Sequence, residues 1–139
     1  MISFPRGTGV AVITPFKPDG NIDFDSLDRI VNHLIDHGAD YLVVLGTTGE
    51  SVTLSKDEKI SVVNFIIEKN EGRLPVVVGA GGNNTAQVMD SLQELPLENA
   101  SAVLSVVPYY NKPQQGGIYE HYKMISDNSP VPVIMYNVP

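Results

Sequence analysis

The 139-residue chain has no cysteine, so it has no disulfide framework, thiolate metal site or thiol nucleophile. It is also short of positive charge. Nine Lys and Arg stand against sixteen Asp and Glu, a formal net charge of −7, which repels phosphate backbones and argues against nucleic acid or an anionic membrane as the main partner. An anionic substrate therefore needs positive help supplied locally. The opening Met1-Ile2-Ser3-Phe4-Pro5-Arg6-Gly7 lacks the apolar core of a signal peptide, and no later apolar run approaches membrane-spanning length. The expectation is a soluble, cytoplasmic protein. No linker or low-complexity stretch interrupts the chain, and a hydrophobic content of 42% is enough for one domain with a real core.

What is present is a repeated alternation. Val10 to Ile13, Leu42 to Leu45, Pro75 to Gly79, Ala102 to Val107 and Val131 to Tyr136 are short apolar runs bounded by turn residues, the pattern of strands buried on both faces of a parallel sheet. Helical periodicity fills the gaps. Leu27, Ile30, Val31, Leu34 and Ile35 share one face, with Asp23 or Asp25 as N-cap and Gly38 as the stop. Ser55-Lys56-Asp57-Glu58 reads as a capping box opening a second helix, which carries Ile60, Val63 and Ile67. A third helix carries Val88, Leu92 and Leu95, and a fourth carries Ile118, Tyr122 and Ile125, with Gly116-Gly117 read as a turn before it. Five strands and four helices result. Two architectures accommodate them: a five-stranded doubly wound sheet, or the first part of an eight-fold β/α barrel, which normally needs about 250 residues. Counting favours the doubly wound sheet. Against it, Pro139 follows strand five directly, without a closing helix, so the end is expected to be a cut through a larger domain.

Chemistry gathers at the strand ends. Gly46-Thr47-Thr48-Gly49-Glu50 follows the second strand, where two hydroxyls, adjacent backbone N–H groups and flexible glycines can receive an anion. Pro108-Tyr109-Tyr110-Asn111 and Tyr136-Asn137-Val138-Pro139 add hydroxyls at two further strand ends. Tyr136 alternates with Ile134, and period two alone leaves open whether it faces a barrel interior or the outer helices. His33 and His37 stand one helical turn apart but lack a third convergent ligand, so a solvated helix face is the reading rather than a metal site.

Together with Glu58 and the opening Thr14-Pro15-Phe16, these motifs resemble the dihydrodipicolinate synthase and N-acetylneuraminate lyase family of pyruvate-dependent barrels, along essentially the whole chain. The resemblance implies an incomplete TIM (β/α)8 barrel, with residues 1–139 as the N-terminal portion of a single domain. It also implies condensation of pyruvate with aspartate semialdehyde on the route to diaminopimelate and lysine, with no metal or organic cofactor. On this resemblance Thr47 and Thr48 hold the pyruvate carboxylate, and Thr47 links Tyr136, the acid/base group, to Tyr110 in a proton relay. Tyr110 is lent to a neighbouring subunit beside Tyr109, so the partner expected besides small-molecule substrates is another copy of the chain, usually within a tetramer. A chain of hydroxyls suits such a relay because each member donates and accepts at once.

The family's Schiff-base lysine belongs on strand six and its substrate-binding arginine just after Asn-Val-Pro, both beyond Pro139. None of Lys17, Lys56, Lys59, Lys69, Lys112 and Lys123 has a sequence context that suggests desolvation, so the chain alone is expected to be inactive. In feedback-inhibited members lysine binds near positions matching Ser51, Lys56, Lys59, Asn83, Gln87 and Tyr109. The neutral Gln87 and the two cations weaken attraction for a cationic effector. The alternatives are another aldolase of the family, acting on N-acetylneuraminate or a 2-keto-3-deoxy sugar acid, and a noncatalytic half-barrel that self-associates to cover its sheet edge.

Overall fold

Strand order separates the two architectures that the alternation leaves open. The structure, a computed structural model, describes residues 4–138. Met1-Ile2-Ser3 and Pro139, on which the readings of the two chain ends rest, lie outside the described residues. Strands β1 (Gly9–Ala11), β2 (Tyr41–Val44), β3 (Val76–Gly79), β4 (Ala102–Val106) and β5 (Val133–Tyr136) alternate with helices α1 (Phe24–Asp36), α2 (Lys56–Asn70), α3 (Thr85–Glu94) and α4 (Gln115–Asn128). Every pairing is parallel, and the order in the sheet is β1-β2-β3-β4-β5, as in the chain. A doubly wound sheet reverses direction at a switch point, so helices cover both its faces. Here every crossover steps the same way. Right-handed crossovers then put all four helices on one face, the arrangement of successive units around a β/α barrel. The preference drawn from counting strands is thus overturned.

Local chemistry explains where the helices begin. Asp23 caps α1, its carboxylate accepting from the backbone N–H of Ser26 at 3.1 Å and from the Ser26 hydroxyl at 2.6 Å, which decides between the two candidate aspartates. The capping box of α2 is complete: Ser55 Oγ accepts from Glu58 N–H at 3.3 Å, and Glu58 accepts from Ser55 N–H at 2.8 Å. Those bonds hold the Asp23 and Glu58 carboxyls below their ordinary ionisation range. Asn84 caps α3 through Ala86 N–H. Gly116 and Gly117 lie inside the first turn of α4, not in a turn before it. A helix's first turn has N–H groups without intrahelical acceptors, so weak helix formers cost less there than in its interior. His33 and His37 stack at 4.0 Å between ring centroids, with His37 capping the end of α1.

Register assigns the sheet faces. Val44, Val78, Val103 and Val133 stand side by side, as do Leu42 and Val76, and these pack with Leu27, Val31, Val63 and Ile66 in one core beneath the helices. By the two-residue alternation of strands, Leu104, Val106, Ile134 and Tyr136 point to the other, concave face. No helix among the described residues is long and apolar enough to cross a membrane.

His121 is a buried polar member of this packing that the apolar stripe of α4 did not foretell. Its Nδ1 lies 2.8 Å from Thr85 Oγ1, tying α4 to the start of α3. Its Nε2 has no hydrogen-bond partner among the described residues, and burial lowers its pKa below the ordinary 6.5. The unfolded chain therefore binds a proton more readily than the folded one, and stability is lost as pH falls through about 6.5 toward the lower folded value. We expect the Tm to drop between pH 7.5 and 5.5, with much of that slope removed in His121→Gln. An identical slope in the variant contradicts the assignment. Asp23 and Glu58, whose values are also lowered, act in a more acidic window, below their unfolded values of 3.8 and 4.5.

Candidate active site at the C-terminal mouth of the sheet

All five strands run the same way, so the segments following β2, β3, β4 and β5 meet at one edge, where β/α barrels carry their chemistry. Just past β2 the backbone is strained. Leu45 is buried with φ of 57°, and Glu50 has φ of 53°, values that cost a residue with a side chain and concentrate at functional sites. Between them Thr47–Gly49 forms a single 3₁₀ turn. Its own bonds employ the N–H groups of Gly49 and Glu50, so among the described residues those of Thr47 and Thr48 are not engaged by the backbone. The turn is tied down from β1's end by the buried Thr14, whose hydroxyl donates to Gly49 O at 2.8 Å. Beneath it, Gly79 lets β3 pass directly under Leu45. A Cβ there would be driven into the Leu45 carbonyl.

A cavity of about 470 Å³ opens at this edge. Thr47, Tyr109 and Tyr136 line it together, over a floor that includes Gly79, Leu104 and Val106. Tyr136 is the register partner of Val106, so it enters from the concave face, which settles the choice that alternation left open. No hydrogen bond joins the side chains of Thr47 and Tyr136 in the described structure: they share a cavity wall rather than a bond. Thr48 and Tyr110 are outside the lining. Tyr110 stands off the body of the chain, 90% exposed, with φ of 70°.

The structure also brings in residues that sequence reasoning did not place at the cavity. Ser51 and Lys59 line it, as does Ser91 of α3. Lys59 is half-buried and forms no salt bridge among the described residues. It puts one positive charge on the cavity wall of an acidic chain. Lys56 is spent elsewhere: its Nζ lies 2.7 Å from Glu94 Oε1, a bond that raises its pKa and keeps it a cation. Neither Lys56, Asn83 nor Gln87 lines the cavity. The sequence signal for Lys59 was its place one turn into the helix that leaves the Thr47 loop, but direction around a helix depends on packing.

Four consecutive β/α units and a fifth parallel strand, with hydroxyls gathered at the C-terminal mouth, define a barrel of the kind that works at its strand ends. The sequence profile of the Dihydrodipicolinate synthetase family matches residues 5–139, and the chain belongs to that family. It is 59% identical over 133 residues to a 4-hydroxy-tetrahydrodipicolinate synthase from Flavobacterium psychrophilum, covering 96% of this chain and 45% of that relative. It is 48% identical over 134 residues to the synthase of Parabacteroides distasonis, with the same two coverages. Among solved structures, the chloride-inhibited dihydrodipicolinate synthase of Acinetobacter baumannii, complexed with pyruvate, superimposes with a TM-score of 0.94 at 40% identity, covering 98% of this chain and 47% of that one. The Bacillus anthracis dihydrodipicolinate synthase gives a TM-score of 0.91 at 44% identity, over 100% of this chain and 47% of that one. The five strands and four helices match the N-terminal part of those TIM barrels. The chain spans about half the length of the relatives it matches.

Proposed function

We propose that residues 1–139 are the N-terminal portion of a cytoplasmic, pyruvate-dependent Schiff-base lyase that condenses pyruvate with aspartate semialdehyde in lysine biosynthesis. The observation that carries this reading is the single cavity lined by both Thr47 and Tyr136, in a chain 59% identical to a 4-hydroxy-tetrahydrodipicolinate synthase. Pyruvate, the ligand of the Acinetobacter baumannii relative, is small enough for the cavity and anionic enough to need its donors. Thr47 and Thr48 receive the carboxylate through hydroxyl and backbone N–H groups, Lys59 biases the wall toward anions, and Tyr136 moves the proton at the reacting carbon. Thr48 serves by its backbone, which its position outside the lining allows. Tyr110, standing clear of its own chain, completes the relay in a second subunit across a tight dimer, with Tyr109 beside that interface.

The attacking amine is not supplied by this stretch. Lys56 and Lys123 are each paired with a carboxylate that raises their pKa, which favours the charged, non-nucleophilic form. The test is a chimaera that joins residues 1–139 to the C-terminal remainder of the Flavobacterium psychrophilum relative, supplied in turn with pyruvate plus aspartate semialdehyde and with N-acetylneuraminate. We expect the first pair to be consumed and the sialic acid to be left intact, while borohydride and pyruvate leave the 139-residue chain unmodified. Cleavage of N-acetylneuraminate in place of the condensation overturns the substrate assignment. A borohydride-trapped adduct on the chain, at Lys59 above all, overturns the claim that the nucleophile lies elsewhere.

A further inference from the structure

We infer that Tyr122 is a positioning residue for Tyr136: its hydroxyl holds the end of β5 and so sets the direction in which the Tyr136 ring enters the cavity. This rests on the role given to Tyr136 above. The Tyr122 hydroxyl, arriving from α4, lies 3.1 Å from the carbonyl oxygen of Ser105 and 3.4 Å from that of Tyr136 itself. One proton is shared between adjacent strands, the shorter contact being to β4. The Tyr136 carbonyl also accepts from Val107 N–H at 2.9 Å, so it is held by donors from two elements.

The ladder to β4 and the Val107 bond fix the Tyr136 backbone, and the Tyr122 hydroxyl is the side chain among the described residues that reaches it. The Tyr136 phenol makes no hydrogen bond to the described residues, and β5 is paired only to β4. Tyr122, by contrast, is well anchored. Its ring packs against the core and meets His121 edge-on at 5.3 Å, and His121 is fixed to Thr85 of α3. Burial raises the Tyr122 pKa, so the hydroxyl stays a donor across the neutral range. A phenylalanine would satisfy the apolar stripe of Ile118, Tyr122 and Ile125 equally well. The oxygen is the feature that packing does not require.

The test compares the 139-residue chain with its Tyr122→Phe variant, both carrying ¹³C at tyrosine Cζ and at the threonine methyls, with Tyr136→Phe assigning the signal. Without ligand, we expect the Tyr136 signal to shift and broaden in Tyr122→Phe while the Tyr109 and Thr47 signals stay in place. Pyruvate affinity should fall about five-fold, the usual worth of one neutral hydrogen bond. An unmoved Tyr136 signal overturns the inference. So does a joint displacement of Tyr136, Tyr109 and Thr47, which marks general loosening, or an equal pyruvate affinity in the two chains. The functional reading stands or falls separately on the chimaera, and if the parent chain alone binds no pyruvate, the ligand-free Tyr136 signal still decides whether Tyr122 positions it.

Discussion

Tyr136→Phe in the chimaera described above should lower kcat for the condensation about a hundredfold, the typical worth of a positioned acid/base group, and leave the KM for pyruvate nearly unchanged. The ring stays, so the cavity wall and the Val106–Tyr136 register are preserved, and only the proton-carrying oxygen is removed. In the proposed reading the carboxylate is gripped by the turn after β2, which is on another strand and has its own tether to Thr14. Loss in kcat without loss in KM is the signature of an interaction made chiefly in the transition state. Steady-state kinetics with both substrates varied checks it. A variant that raises KM and spares kcat would make Tyr136 a binding group instead.

The second large effect concerns the support under the same turn. Gly79→Val should lower the Tm by about 10 °C or more. The side chain would enter the space of the Leu45 carbonyl and come within about 3.1 Å of Gly46 N. Neither neighbour can yield cheaply, because Leu45 is buried in a left-handed conformation and β3 is laddered on both sides. Overpacking against backbone costs on the order of 3 kcal/mol, a large part of the 5–15 kcal/mol that typically holds a domain together. Thermal unfolding followed by circular dichroism is the check. A Tm within about 2 °C of the parent would mean that the strand-tip strain is not fixed by Gly79.

Much of this fold was legible because its local signals agree with its packing. The Val and Leu runs of β2 to β4 and the caps at Asp23 and Ser55 mark elements at their observed places. The lateral order of the strands was not legible. Val76-Val77-Val78 is buried on both faces in a doubly wound sheet and in a barrel alike, so composition carries no record of which strand lies beside which. At the site, Thr47 and Tyr136 could be found because hydroxyls at strand ends have no packing reason to be there. Lys59, His121 and Tyr122 could not, since a helical period shows which residues share a stripe but not which polar tip reaches a neighbouring element. Gly116 and Gly117 misled in the opposite sense: glycine signals a break, yet the first turn of α4 tolerates it.

The convergence of Thr47 and Tyr136 on one small keto acid is tested most directly by a double-mutant cycle. Pyruvate Kd and kcat are measured in the chimaera for the parent, Thr47→Val, Tyr136→Phe and the double variant. Shared contact with one ligand requires the two changes to be non-additive in kcat/KM, with a coupling of about 1 kcal/mol or more. Strict additivity would place the two hydroxyls on separate business and contradict the site described here.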